Sequence, residues 1–316
     1  MAAYALRRVL WTPPLLFFIA LSTFLLMHAV PGGPWDTRGR PISPQLEAQL
    51  EEKYGLGEPI WRQFLTFLWN ALHGDLGVSF QYQDRAVTSV IWDGMEVSVV
   101  LGGLALVFAL VTGIALGALT AVKRDSFFDR CVLGITAFLA STPSFVLGVL
   151  LIVVFSVKLG WLPVFGWEKT WWVLPYWKQA ILPVLTLGAL PAAYLARITR
   201  SAVLETLSRD YVRVARAKGL REGAVISRHV LRNSLIPVLA VSGPLAASLI
   251  AGSFIVETVF AVPGLGRQFV DAIFQRDYGL ITGITILYAC VVVLANLAVD
   301  LVHGALDPRL RDKGYG

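Results

Sequence analysis

The chain has 316 residues, of which 56% are hydrophobic and only 15% charged, with a mean hydropathy of +0.66 and a formal net charge of +6. That balance excludes an ordinary soluble domain and describes an all-α, polytopic membrane protein. The basic excess reads as a membrane-orientation signature, not a nucleic-acid footprint, and Cys131 and Cys290, with no partner histidine, read as packing residues and make no metal site.

A hydrocarbon core about 30 Å thick needs roughly 20 apolar residues per spanning helix. Six runs meet that demand, at approximately Leu10 to Val30, Val97 to Val122, Val132 to Leu159, Ile181 to Ile198, Leu235 to Val256 and Leu280 to Leu306. The first has the basic flank of a signal peptide, Arg7 and Arg8, but is too long for one and reads as an uncleaved span. Pro13 and Pro14 lie in its first turns, where a missing N–H costs little. From Pro31 to Glu96 nine acids stand against five bases, which predicts an outer segment, mostly helical. One helix is expected through LEAQLEEKYGL, opened by Ser43 or Pro44 and ended by Gly55 and Gly57. A second, IWRQFLTFLWNALHG, carries Ile60, Phe64, Phe67, Leu68, Ala71 and Leu72 on the face expected to pack on the spans.

Gly102, Gly103, Gly113 and Gly117 in the second run permit close helix approach. In the third, Pro143 before Ser144 must break a backbone hydrogen bond, as an ordinary kink or as a hinge that lines a pathway. Trp161, Trp167, Trp171, Trp172 and Trp177 fit an interfacial belt on the outer face, with a ligand platform as the alternative. Arg197 and Arg200 close the fourth run, where long side chains can snorkel. Glu257 follows the uncharged fifth run, and either lines a pathway mouth or pairs with a loop base such as Arg267. Asp300 and His303 share one face near the end of the sixth, as a helix-end anchor or a proton relay.

Between the fourth and fifth runs lies the most basic stretch, Ser208 to Pro237. One Arg or Lys at a helix centre costs about 2.5–3.5 kcal/mol in a membrane, so this segment must be a loop on the inner side. Tyr211, Val214 and Ala215 at helical spacing, an interruption at Gly219, then Ala224, Val225, Val230 and Leu231 predict two short helices meeting at a glycine turn. With both termini inside, 17 of the 27 Lys and Arg fall on inner segments, as the positive-inside rule requires. The chain thus divides into a first span (1–30), an outer segment (31–96), a five-helix core (97–306) holding the basic loop (201–234), and a tail (307–316).

Function classes separate on what is missing. An intramembrane hydrolase needs an activated nucleophile at depth, yet there is no G-x-S-G and no HExxH, and of the four histidines only His303 can sit at depth, near the wrong end. A gradient-driven transporter usually holds ionisable groups near the midplane, and the second to fifth runs have none. What fits is a passive membrane half powered from outside. No GxxxxGK[ST] occurs to bind ATP, no cofactor is expected, and the basic loop is the one inner feature large enough to receive work.

That loop, DYVRVARAKGL followed by LRNSLIP, resembles the signature of binding-protein-dependent ABC importer permeases of the peptide and nickel group. The likeness extends through VPGGP, GLGEPIWRQF, HGDLGVSF, STPSF, LGWLP, ILPVLTLGALPAAYLARITRSAVLE, VETVFAVPGLG, RDYG and LDPRLR, and is strongest to B-type subunits of dipeptide and oligopeptide permeases. It implies a type I importer permease fold with six transmembrane helices in the inner membrane. The implied partners are membrane lipid, a homologous second permease, two ATP-binding subunits and an outer substrate-binding protein. ATPase coupling would fall to Tyr211, Arg213, Ala215, Arg216, Ala217, Lys218, Gly219, Leu220, Arg221 and Glu222. A pathway or gate would involve Pro143, Ser144, Glu257, Pro263 and Gly264. Where the wider importer pattern EAA-x3-G has its Glu-Ala-Ala, this chain has Arg213, Val214 and Ala215, so a salt bridge from that Glu does not carry over.

Overall fold

The computed structural model describes residues 2–30, 45, 49, 51–52, 55–82, 85–168, 177–250 and 252–306, and side chains within these except at 2–9, 295–296 and 298–306. Helices account for all regular structure among the described residues, apart from one isolated bridge between Val78 and Ala86. In chain order they are α1 (Ala2–Ala29), α2 (Ile60–Leu72), α3 (Val87–Val122), α4 (Phe127–Ser141) and α5 (Ser144–Leu151). There follow α6 (Lys178–Leu207), α7 (Asp210–Ala217), α8 (Glu222–Ile250), α9 (Phe254–Val259), α10 (Leu265–Gln275) and α11 (Tyr278–Leu306).

Four helices among the described residues are long and apolar enough to cross a membrane, over Leu10–Ala29 and along α3, α6 and α8. Each falls on a predicted run, although α3 begins at Val87 rather than Val97 and α8 stops at Ile250, short of Val256. The third run is not one continuous helix but a pair bent sharply at a break. Thr142 is extended, Pro143 caps α5 without an N–H to give, and the axes before and after the break diverge by 113°. α5 itself loosens into a wide π-type turn over Ile152–Lys158. The sixth run maps onto α11, whose apolar stretch among the described side chains is Tyr278–Leu294.

Two further expectations change. The second short helix of the basic segment is not separate: it is the basic end of α8, continuous with the fifth span through a π-type stretch at Val225–Leu231. The helix expected through LEAQLEEKYGL lies mostly outside the described residues, as do Trp171 and Trp172, and the side chains of Asp300 and His303 are not described. α2 forms where expected but packs over only part of the predicted face: Phe64 is buried beside Ala20 and Phe24 of α1 and Phe67, Leu68 and Ala71 are half-buried, while Ile60 and Leu72 are exposed, as are Trp61 and Trp69.

The centre of the bundle is the contact of α3 with α6. Gly113 and Gly117 leave no room for a side chain, since a Cβ on either would come within 2.7 Å of Leu195 Cβ or 2.6 Å of Thr199 Cβ. Gly188 of α6 answers from the other side, seated on Phe108. Ala109, Leu195 and Val238 are fully buried where α8 joins this pair, and Gly102 lies against the α8 backbone at Leu249. Small residues are what allow such closeness in lipid, where association rests on packing instead of hydrophobic drive. Gly117→Ala is therefore expected to cost about 1–3 kcal/mol through overpacking, lowering the melting temperature of the detergent-solubilised protein. Gly103→Ala, where the added carbon meets nothing within 4 Å, is the matched control and should leave melting unchanged or slightly raised.

Candidate functional site

The basic end of the bundle is a knob built on α7. Arg209 is extended, Asp210 opens the eight-residue helix, and the chain turns at Gly219 with φ +77°. A Cβ at Gly219 would meet nothing within 4 Å, so within this chain glycine is required by the backbone conformation and not by space. Val212 and Ala215 are buried against Ala121 of α3, Val203 of α6, and Val225 and Val230 of α8. The sequence stripe of Tyr211, Val214 and Ala215 is thus half right. Ala215 packs, but its partner one turn back is Val212, and Tyr211 and Val214 face outward.

Polar contacts hold the knob from both sides of its turn. The Arg216 guanidinium reaches across Gly219 to Glu222 with two bonds, Nη2 to Oε1 at 2.6 Å and Nε to Oε2 at 3.1 Å. Tyr211 Oη accepts from Asn233 Nδ2 at 2.9 Å, Arg209 pairs with Glu205, and the Ser234 hydroxyl of α8 donates to Thr206 Oγ1 of α6 at 2.9 Å. What is left outward is Arg213, Ala217, Lys218, Leu220 and Arg221 around Val214, an apolar spot with a basic rim.

The opposite end is organised by a buried carboxylate. Ser98 near the start of α3 and Ala121 near its end are separated by 23 residues, about 35 Å of helix at 1.5 Å each, enough to cross the hydrocarbon. Glu257 of α9 is 0% exposed. Its Oε1 accepts from the Ser98 hydroxyl at 2.8 Å and its Oε2 from the backbone N–H of Arg267 at 3.0 Å, with the Gly266 N–H adding a third donor. The Ser98 oxygen accepts in turn from the Leu265 N–H at 2.9 Å. Gly252 and Gly264 enclose the carboxylate so closely that a Cβ at Gly252 would lie 2.7 Å from Oε1, and one at Gly264 2.6 Å from Ser98 Oγ.

Both sequence readings of Glu257 give way to this geometry. With no exposed surface it does not line a mouth within this chain, and the Arg267 side chain turns instead toward Asp271 at 3.7 Å. Of the other pathway candidates, Gly264 is buried in the same cluster and Pro263 is exposed beside it. Pro143 and Ser144 stand apart, at the α4–α5 break, and α5 reaches the cluster's neighbourhood through Gly148, which lies against Phe260, and through Leu151, which packs with Val256, Phe260 and Val262.

Two residues that sequence reasoning passed over complete this end. Ser98 is one. Asp277, also fully buried, accepts from the Ser79 hydroxyl, from the backbone N–H groups of Phe80 (3.1 Å) and Gln81 (3.4 Å), and from Leu280 N–H (3.1 Å) at the start of α11. An Asp directly before an apolar run is an N-cap signal, so its role in α11 was readable, but its grip on HGDLGVSF was not. Among the described residues no group of three His, Cys, Asp or Glu is placed to hold a metal ion.

These features define a multi-pass helical membrane protein gripped by polar clusters at its two ends. Residues 113–312 match the family model described as binding-protein-dependent transport system inner membrane component. The chain is 36% identical to the oligopeptide transport system permease protein OppB of Haemophilus influenzae, covering 98% of this chain and all of that protein. It is 37% identical to the dipeptide transport system permease protein DppB of Escherichia coli K12, covering 99% and 100%. Among solved structures, the MetNI methionine ABC transporter in inward-facing conformation gives a TM-score of 0.57 at 19% identity, over 70% of this chain and 97% of that one. An amino acid ABC transporter solved with histidines gives 0.53 at 18%, over 68% and 93%. The chain belongs to the family of binding-protein-dependent transport system inner membrane components, and has the ABC importer permease fold.

Glu257→Ala and Ser98→Ala each leave buried donors or acceptors without partners. Each is expected to destabilise the protein by about 1–3 kcal/mol, read as earlier thermal unfolding, with the double variant less than additive because the two groups share one network. In the knob, the Arg216 guanidinium holds the Glu222 carboxyl below its ordinary range. A depressed folded-state value means the brace is in place above the unfolded carboxylate pKa and is lost as pH falls through the lowered one. Protection factors of the backbone amides of residues 218–220, taken relative to the intrinsic exchange rate at each pH, should therefore fall at the acid end of that window, and Glu222→Gln should abolish that change.

Proposed function

We propose that this chain is one half of the membrane channel of an ATP-driven peptide importer. It would cross the membrane six times with both ends on the inner side, pair with a homologous second permease, and receive di- or oligopeptides from an outer substrate-binding protein. Two ATP-binding subunits would sit on the inner face, one of them seating the knob from Tyr211 to Glu222. ATP hydrolysis belongs to those partners, and lipid surrounds the rest. The observation that carries the reading is the knob itself: a charged, outward-facing helix fixed to three spans by Val212 and Ala215, on a chain whose sequence holds no nucleotide-binding loop. Peptide as cargo is supported by the named cargo of the full-length relatives.

Mechanically, the knob works because it is stiff. A surface helix held only by its own backbone would yield when pushed. Burial of Val212 and Ala215 under α3, α6 and α8, with the Arg216–Glu222 brace across the turn, makes displacement of α7 a displacement of the inner ends of three helices. Closing and opening of the ATP-binding pair then tilts those helices between inward-open and outward-open arrangements, a rigid-body change. Val214 and Leu220 would enter an apolar groove, and the surrounding Arg213, Lys218 and Arg221 would meet acids at its edge.

The test is reconstitution in liposomes with the second permease, the ATP-binding subunits and the binding protein, using radiolabelled dialanine and tetra-alanine as probes. ATP-dependent accumulation that also requires the binding protein is expected. Uptake that persists without the ATP-binding subunits, or failure to move any peptide while another solute is taken up, overturns the reading. Gly219→Asp forces a side chain at φ +77° in the centre of the knob surface. It should lower uptake by more than tenfold while leaving the protein inserted at normal levels.

A further inference from the structure

The short KRDSFFDR turn between α3 and α4 contains the most fully satisfied ion pair among the described residues. Asp125 takes a left-handed conformation (φ +63°) and gives its backbone N–H to Asp129 Oδ2 at 3.0 Å. Ser126 caps α4 by accepting the Asp129 N–H at 3.1 Å. Arg200 of α6 then closes on the same carboxylate with two parallel bonds, Nε to Oδ1 at 2.8 Å and Nη2 to Oδ2 at 2.7 Å. Asp129 is 1% exposed, and the Arg200 side chain is largely covered. The Arg200 side chain, expected at a span end to reach toward the inner boundary, ends on Asp129 of the neighbouring turn.

Stability alone is a poor explanation for this pair. Removing two charges from water costs much of what their attraction returns, and a well-packed apolar pair of similar volume often holds as well or better. What a bidentate guanidinium–carboxylate pair adds is orientation, because two parallel bonds fix both position and rotation. Orientation is what α4 lacks otherwise. Its only buried residues are Asp129, Val132 and Thr136, while Phe127, Ile135 and Phe138 face outward. At its far end, the break at Thr142–Pro143 leaves α4 free of helical hydrogen bonds to α5, with 113° between the axes. Arg200, in turn, lies one turn before Val203, which is part of the cluster that fixes the knob.

We propose that Asp129 and Arg200 are positioning residues for energy coupling. Through them α4 becomes part of the rigid body that carries α7, so that a push on the knob swings α4 about the Thr142–Pro143 break and moves the broken third span. This rests on the knob receiving motion from an ATP-binding partner, as proposed above, but concerns a pair of residues outside the knob.

A spin-label distance measurement on the assembled importer in nanodiscs tests it without needing any transported solute. The exposed native Cys131 on α4 serves as one label site and Ser227→Cys on the basic end of α8 as the other, with Cys290→Ser to remove the second thiol. In this background a single narrow distance is expected, the same without nucleotide and with ATP and vanadate. Asp129→Asn and Arg200→Lys should broaden it and make it differ between the two states. In liposomes the same variants should lower the number of dialanine molecules moved per ATP several-fold, and the exchange Asp129→Arg with Arg200→Asp should recover part of that ratio. A distance that stays narrow and state-independent in the variants overturns the proposal. So does an unchanged ratio, with uptake and ATP hydrolysis falling together as they would if the pair only held the fold. Should Asp129→Asn fail to assemble, Arg200→Lys, which keeps the charge but loses the fork, decides the matter by the same two readings. A wild-type importer that moves no peptide would count against the cargo assignment, not against this pair.

Discussion

The close approach of α3 to α6 is the constraint on which the rest of the structure depends. In hydrocarbon there is no solvent to drive two helices together, so contact must come from fit, and fit here comes from glycines at positions 113, 117 and 188. Once those backbones touch, α8 can close over Ala109 and Leu195 through Val238, and the three helices become a block. Charged groups are then forced to the ends of that block, because within it none would find a partner, while hydroxyls such as Thr112 and Ser242 stay inside by bonding to their own helix backbone.

At one end the polar groups make a clamp, at the other a knob and a strut, and the contrast lies in what they face. Glu257 and Asp277 turn inward and spend their oxygens on backbone N–H groups and on serines of the same chain, tying the α9–α10 loop to α3 and the HGDLGVSF segment to α11. The arginines of α7 turn outward, with Arg216 held in place by Glu222. Between the two lies α3, in contact with both through Ser98 and Ala121. A block so arranged can be pushed at one end and answer at the other without any element in the middle changing its own conformation.

Hydropathy and charge located four of the spans, and the knob, because both follow from local chemistry: twenty apolar residues, or seven basic ones among few acids. The turn at Gly219 was legible for the same reason. Less was readable wherever the partner is distant in sequence. Ser98 and Glu257 are 159 residues apart, and Asp129 and Arg200 are 71 apart. A lone carboxylate near a span end gives no sign of which serine or arginine will reach it, so Glu257 was misread as a mouth or a partner for the Arg267 side chain. Pro143 announced a lost hydrogen bond, but the 113° divergence is set by what α4 and α5 each pack against. The choice of Val212 over Tyr211 and Val214 likewise depends on where α6 and α8 happen to lie, which an eight-residue helix cannot declare alone.

α8 couples its length to its winding at the π-type stretch Val225–Leu231. From Val225 to Val238 its buried positions are Val225, Val230, Ser234 and Val238, so the first step is five residues and the next two are four, and the longer step falls inside the π-type stretch. A helix wound this way holds one surplus residue, which resets the phase of its screw: below it the buried stripe meets α7, above it the same stripe meets α3 and α6. Were the stretch to tighten to the ordinary pitch with that residue retained, the two stripes would stand about 100° out of step; with the residue removed as well, every step becomes four and the stripes stay aligned. The length of this stretch and the way it is wound are accordingly specified together, and neither can change without the other.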